Sequence, residues 1–84
     1  MDKVNVKIIF AGPIAHKAGL REIYLPIHAE HEKGLNDIST LVREKAGSQI
    51  LYTILMNGSS VDLSPKPIFE DTDVFDIVPI VLGG

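Results

Sequence analysis

The sequence contains no cysteine and no tryptophan in its 84 residues. A chain without cysteine can form no disulfide, no thiolate metal site and no cysteine nucleophile. Any sulfur or acyl chemistry must therefore use a group other than a thiol of this chain. Runs of basic residues are also missing, and the formal net charge is −3 at pH 7. This balance argues against nucleic-acid binding, which normally requires a clustered basic face.

Long apolar runs are missing too. No stretch of the sequence approaches the roughly 18 apolar residues that a membrane-spanning helix needs, and the first residues lack the charged and apolar regions of a signal peptide. We therefore expect a cytoplasmic protein with no membrane partner. The length and the hydrophobic share of 45% predict one domain over residues 1–84, with a single core.

Several segments have the composition of β-strands. Apolar and polar residues alternate in two of them, which indicates half-buried strands. Ala11-Gly12-Pro13 ends the first strand, because proline donates no hydrogen bond to a ladder. Asn57-Gly58 is a strong signal for a hairpin turn. The predicted strands are Val4–Phe10, Arg21–Ile27, Gln49–Met56, a short Ser60–Leu63 and Val74–Ile80.

One segment has the pattern of a clear amphipathic helix. Asp37 is a good N-cap, because its carboxylate can accept a hydrogen bond from a first-turn amide. Apolar residues at helical spacing then predict a helix over Ile38–Ala46, which Gly47 ends. The preceding His28–Gly34 is interpreted as a polar connection, and Ile14–Ala18 as a short helical turn.

The order β-β-α-β-(β)-β predicts an α+β fold. One main helix on one face of a mixed sheet of four to five strands buries both apolar surfaces. This arrangement is the β-grasp, or ubiquitin-like, fold. The first and last strands are the most continuously apolar, so we expect them to be central neighbours. The segment after the last strand would then leave from the middle of the sheet.

The sequence ends on Gly83-Gly84. Glycine has no Cβ, so this end offers a thin peptide and an unhindered carboxylate to a narrow active site. We expect residues 81–84 to form a flexible tail. The alternative is that the two glycines are only a frayed end with no function.

The last 14 residues carry a recognisable pattern. Acidic residues at Asp71 and Asp73 are followed by apolar Phe75–Val78, then Pro79, a short spacer and Gly83-Gly84. This pattern resembles the C-terminus of the MoaD/ThiS family of ubiquitin-like sulfur carriers, and within it the small subunits of molybdopterin synthase. The further matches are the Asn57-Gly58 turn and Phe10-Ala11 at the end of the first strand. The departures are Thr72 in place of the usual glycine, Ile80 in place of a common second proline, and no Arg-Glu after Phe10-Ala11.

The resemblance implies a function for the terminal glycines. An ATP-dependent adenylating enzyme would activate the carboxylate of Gly84, with Gly83 beside it. A sulfur donor such as a cysteine desulfurase or a rhodanese would convert it to a thiocarboxylate, and a molybdopterin synthase large subunit would receive the sulfur. This chain would bind no cofactor or metal, since the partner uses the ATP. It would be a non-catalytic, sulfur-donating subunit rather than an enzyme by itself.

The same tail leaves other functions open. A carrier for thiamine biosynthesis or tRNA thiolation would deliver its sulfur to a thiazole synthase or a tRNA thiolase. A ubiquitin-like modifier would instead be joined through Gly84 to lysines of target proteins. A β-grasp interaction module with an idle tail is the fourth possibility.

Partner recognition is predicted on the sheet face away from the helix, and on the tail. We expect Phe75 and Ile77 to pack on the helix, with Val78 and Ile80 exposed beside Ile9. The family resemblance instead pairs Phe10 with Val78. In the alternative interpretation, all of these residues belong to the core. The predicted partner-binding residues are Ile9, Phe10, Val78, Pro79, Ile80, Val81 and Leu82.

Two polar clusters suggest metal sites but lack the required patterns. The segment His28–Glu32 has imidazole and carboxylate groups, which suit zinc, but no third well-placed ligand, so we interpret it as a solvated loop. Asp71, Asp73 and Asp76 lack the spacing of an EF-hand. We expect them to form a turn and a solvated rim that could face a basic partner surface.

Overall fold

The computed structural model describes residues 2–61 and 67–80. Its five strands form one mixed sheet in the order β2-β1-β5-β3-β4, in which β1 and β5 are parallel and the other neighbours are antiparallel. The β-grasp prediction is confirmed, and so are the first and last strands as neighbours inside the sheet. The elements are β1 (Lys3–Phe10), α1 (Gly12–Ala18), β2 (Glu22–His28), α2 (His31–Ala46), β3 (Tyr52–Met56), β4 (Ser59–Ser60) and β5 (Val74–Pro79).

The core lies between the sheet and both helices. Alternation in β1 and β5 turns one set of apolar side chains toward α2, as the period of a strand requires. The predicted packing of Phe75 and Ile77 on the helix side is confirmed, because neither side chain has any exposed surface. The buried side chains that form this core include Val6, Ile8, Phe10, Ile14, Ile27, Ile38, Leu41, Val42, Phe69, Phe75 and Ile77.

The start of the main helix differs from the prediction. Helix α2 begins at His31, so the predicted polar connection is wrong for His31–Gly34, and Asp37 lies inside the helix instead of capping it. Gly34 suggested a loop because glycine disfavours helix interiors. In the structure Gly34 is buried, where a Cβ would lie 2.5 Å from the carbonyl oxygen of His28 and 2.8 Å from the ring of Phe69. Close packing, which the sequence pattern does not reveal, therefore explains the glycine.

Other element boundaries differ by a few residues. The short turn predicted after the first strand is a helix over Gly12–Ala18. Strand β3 starts at Tyr52, later than predicted, and β5 ends at Pro79. The Asn57-Gly58 turn is confirmed, with φ angles of 52° and 90°. Strand β4 is limited to Ser59–Ser60, and its predicted end lies outside the described residues.

Asp37 closes part of an exposed sheet edge. Strand β2 is at the edge of the sheet, and the hydrogen bond from Phe10 N–H to the Arg21 carbonyl sets which of its backbone groups point outward. Two of the residues whose backbone groups point outward have no N–H group that could bond to a further strand. Pro26 has no N–H, and the N–H of His28 donates to Asp37 Oδ2 at 2.7 Å. Blocked donors of this kind protect edge strands from pairing with other chains.

We expect Asp37 to make stability depend on acid pH. Burial alone raises the pKa of its carboxyl, but hydrogen bonds from the His28 backbone and imidazole, with the charges of His28 and Lys3, outweigh burial and lower the pKa below 3.8. Because the pKa of Asp37 is lower in the folded protein than in the unfolded one, the ionised carboxylate stabilises the fold at pH values above its pKa in the unfolded chain. This stabilisation is lost as the pH falls through the pKa of the folded protein.

The measurement is the urea midpoint of the wild type and of Asp37→Asn, at pH 7 and at a pH well below 3.8. Asp37→Asn should be less stable at pH 7, and the difference between the two proteins should narrow at the acid pH. Curves separated by the same amount at both pH values would contradict this role for Asp37.

The turn before β5 is built around a buried carboxylate. Asp73 is 2% exposed, so the prediction of a solvated rim is wrong for this residue. Its carboxylate accepts hydrogen bonds from the Glu70 N–H at 2.8 Å and from Asn57 Nδ2 at 3.0 Å. Asn57 Oδ1 in turn accepts a bond from the Val74 N–H at 2.9 Å. These hydrogen bonds therefore join the acidic turn to the Asn-Gly turn and fix the first residue of β5 between them.

Candidate partner-binding surface

Strand β5 carries the chain from the centre of the sheet toward the C-terminal segment. Beyond Pro79, Ile80 donates its N–H to the carbonyl of Leu51 at 3.1 Å. Both side chains are apolar and exposed, Ile80 by 44% and Leu51 by 57%. The predicted tail residues Val81, Leu82, Gly83 and Gly84 lie outside the described residues. Ile80 and Leu51 thus form a small exposed apolar surface at the end of the sheet where the described part of the chain stops.

The sheet face away from the helices carries apolar side chains on its three inner strands. Ile9 on β1 and Leu55 on β3 are the direct partners of Asp76 on β5, so these three side chains share that face. Val74 and Val78 lie on the same face because they are two residues from Asp76 along the strand. All five are half-buried. We call this set, Ile9, Leu55, Val74, Asp76 and Val78, the docking face.

The structure separates the residues that the sequence proposed for partner binding. Ile9 and Val78 lie on the docking face, and Ile80 continues it toward the chain end. Phe10 lies in the core and is 3% exposed, so it presents almost no surface to a partner. Pro79 is half-buried and, by alternation, lies on the helix side of the sheet. Of the two candidates in β1, only Ile9 is on the outer face.

Sequence reasoning missed two apolar members of the docking face. Leu55 lies in the continuous apolar segment around β3, where no alternation indicates which side chains face outward. Val74 begins β5 directly after the acidic turn. The pairing register with β5 assigns both faces, and register is a property of the assembled sheet.

The histidines and acidic residues near the other end of the sheet make structural contacts. His28 Nδ1 lies 2.8 Å from Asp37 Oδ2. The ring of His31 is tilted against that of Phe69, with 5.2 Å between centroids. Asp71 Oδ1 accepts a hydrogen bond from the Asn5 N–H at 2.9 Å. These contacts join α2 to β2 and to Phe69, and the acidic turn to β1, so the predicted solvated loop is wrong for His31.

No helix in residues 2–61 and 67–80 is long and apolar enough to cross a membrane. A scan against protein-family models finds no match, and neither does a search of curated proteins.

Solved structures do match the chain. Small archaeal modifier protein 1 from Methanosarcina acetivorans has a TM-score of 0.70 and 20% identity, with 100% of both chains covered. Urm1 from Sulfolobus solfataricus has a TM-score of 0.68 and 28% identity over 88% of this chain and 99% of its own. A chain of the complex between subunits 1 and 2 of the molybdopterin-converting factor from Helicobacter pylori has a TM-score of 0.61 and 24% identity over 96% of this chain and 100% of its own.

These likenesses cover between 88% and 100% of the chain. They confirm the β-grasp fold over nearly its whole length. The resemblance that the sequence indicated is also confirmed, with Urm1 at 28% identity among the neighbours.

Proposed function

We propose that this chain is a sulfur carrier, activated at Gly84 by adenylation and converted there to a thiocarboxylate. We further propose that it serves as the small subunit of a molybdopterin synthase. The position of β5 carries the proposal. This strand lies in the middle of the sheet, runs parallel to β1 and leads beyond an exposed Ile80 toward Gly83-Gly84. A rigid domain can thus present the following residues to a partner enzyme.

The chemistry requires activation of the terminal carboxyl before sulfur can be added to it. A carboxylate is a poor acyl donor, so an oxygen of Gly84 first attacks the α-phosphorus of ATP in the active site of an adenylating enzyme, and pyrophosphate leaves. The outer sulfur of a persulfide on a cysteine desulfurase or rhodanese then attacks the acyl carbon, AMP leaves, and an acyl disulfide forms. A thiol of a partner protein attacks the donor sulfur of that disulfide, so the thiocarboxylate is released and a new disulfide remains on the partners. Gly83 and Gly84 suit this site because a backbone without Cβ can approach catalytic groups closely.

The sulfur would then pass to a molybdopterin synthase large subunit. The Helicobacter pylori neighbour, which is a complex of subunits 1 and 2 of a molybdopterin-converting factor, supports a partner of this kind. The docking face, together with the exposed Ile80 and Leu51, is the surface that we assign to the adenylating enzyme and to this large subunit. Exposed apolar patches of this sort mark protein interaction sites.

Intact mass spectrometry tests the proposal. The protein is incubated with the adenylating enzyme of the same organism, ATP and a sulfur donor. One oxygen of the terminal carboxylate should be replaced by sulfur, and the mass should rise by the difference between the two atoms. Adding the large subunit and the pterin precursor should return the original mass. Omission of ATP is the control. Covalent conjugates of this chain with other proteins, and no sulfur gain, would contradict a carrier.

Replacing Val78 with lysine should weaken partner binding and leave the fold intact. The substitution puts a charge on the docking face, where a partner would have to desolvate it, and removes an apolar contact worth about 1.5–3 kcal/mol. We therefore expect affinity for the adenylating enzyme to fall by roughly 10- to 100-fold. Calorimetric titration measures this, and circular dichroism checks folding. Thr40→Lys, on an exposed position of α2, is the matched control. Wild-type affinity in Val78→Lys would exclude this surface.

A further inference from the structure

The docking face has a single carboxylate at its centre. Asp76 lies on β5 and is paired with Ile9 of β1 on one side and with Leu55 of β3 on the other. Along its own strand, Val74 and Val78 point to the same face. Four apolar side chains thus surround one half-buried negative charge.

The fold itself does not explain this charge. In the described part of the chain, Asp76 makes neither a side-chain hydrogen bond nor an ion pair. Lys7 is the nearest basic residue on this face by register, but its Nζ lies 3.5 Å from Glu22 Oε2, on the side of β1 away from β5. Aspartate is also disfavoured in strands. No described residue of this chain therefore neutralises the carboxylate of Asp76.

A partner that covers the docking face must compensate this charge. Contact with the four apolar side chains removes water from the carboxylate, and a desolvated charge without a counter-charge is strongly unfavourable. We infer that the adenylating enzyme docks on this face and places an arginine or lysine against Asp76, at the centre of an apolar contact. Arginine fits best, because its planar group binds a carboxylate through two parallel hydrogen bonds and its flat sides pack on Ile9 and Leu55.

This inference rests on the proposed function, which makes the adenylating enzyme a protein that must hold this chain. To the proposed function, the inference adds the charged group that the partner brings to the contact and a reason why the partner surface must be specific. A partner surface with an acidic or purely apolar centre would be rejected, because like charges or an unpaired buried charge oppose binding. The different possibility is that Asp76 only keeps an apolar face soluble in the free protein.

The experiment measures the dissociation constant for the adenylating enzyme of the same organism, at low and high salt. The proteins are the wild type, Asp76→Asn, Asp76→Arg and the control Glu44→Gln, an exposed acid on α2. Asp76→Asn keeps the shape and removes the charge, and it should bind on the order of 30-fold more weakly, with reduced salt dependence. Asp76→Arg should bind more weakly still, and Glu44→Gln should bind like the wild type. An enzyme variant with its matching arginine or lysine replaced by glutamate should restore binding to Asp76→Arg.

Adenylation kinetics separate this inference from the function on which it rests. Asp76→Asn should raise the KM of the enzyme for this chain and leave kcat unchanged, since Asp76 acts in docking and not at the reacting carboxylate. If the wild type is adenylated and Asp76→Asn has the same KM and dissociation constant, the inference is overturned and the carrier function stands. More self-association by Asp76→Asn, at unchanged affinity, would assign the charge to solubility. If the wild type is neither bound nor adenylated, the function and the inference fail together.

Discussion

Deletion of Gly84, or its replacement by alanine, is expected to abolish loading with sulfur and leave the domain folded. Deletion moves the reacting carboxylate one residue back along the chain, away from the ATP phosphate. Alanine adds a Cβ where the proposed channel must enclose the backbone closely. Adenylation, measured as ATP-pyrophosphate exchange, and thiocarboxylate formation, measured by intact mass, should both fall below detection.

The same variants provide their own control for folding and docking. Among residues 2–61 and 67–80, every member of the buried core lies at or before Ile77, so the unfolding midpoint should match that of the wild type. The docking face is also intact, so the variant without Gly84 should compete with the wild type for the adenylating enzyme. A variant without Gly84 that still gains sulfur would overturn the carrier function. A variant that neither loads nor competes would place the main contact at the chain end and not on the docking face.

Gly34→Ala is expected to destabilise the fold strongly, although alanine is the better helix former. In an open helix position the exchange would stabilise by about 1 kcal/mol. Here the new Cβ would lie 2.5 Å from the backbone oxygen of His28 and 2.8 Å from two ring atoms of Phe69. The ring cannot easily move, because Phe69 is 1% exposed and packs edge-on against Phe75 with centroids 5.2 Å apart.

Overpacking of this kind costs roughly 1–3 kcal/mol, a large part of the total stability of about 5–15 kcal/mol that is typical of a domain. Urea unfolding at pH 7 measures the loss. Gly12→Ala is the matched control, since a Cβ at Gly12 would meet nothing within 4 Å. Adding Phe69→Leu to Gly34→Ala should recover only part of the loss, because the contact with the His28 carbonyl stays. A gain in stability from Gly34→Ala alone would show that α2 does not pack this closely.

Local patterns in the sequence were sufficient for much of the fold. Alternation between Val4 and Phe10 predicts β1, and the Asn57-Gly58 turn has the positive φ angles that its residues favour. The order of elements and the continuously apolar first and last strands led to the β-grasp fold, with β1 and β5 as neighbours. Such features depend on residues close together in the chain, so they can be read without a structure.

Contacts between residues far apart in the chain could not be predicted from local patterns. The start of α2 depends on the packing of Gly34 against Phe69, which lies 35 positions away in the sequence. The position of Asp73 in a buried hydrogen-bond network likewise depends on Asn57, in another turn. A glycine in a helix and an aspartate before a strand both suggest exposed loops when only neighbouring residues are considered.

The sequence by itself led to the proposal that the chemistry lies at Gly83-Gly84, through the resemblance of its last 14 residues to the MoaD/ThiS family. Only the tertiary structure decided which side chains of β1, β3 and β5 share the outer face of the sheet, where we propose that a partner docks. The pairing of β5 with β1 and β3 places Ile9 and Leu55 on either side of Asp76 and sends Phe10 into the core. A shift of one residue in that register would exchange the two faces, and register is set by the packed sheet as a whole.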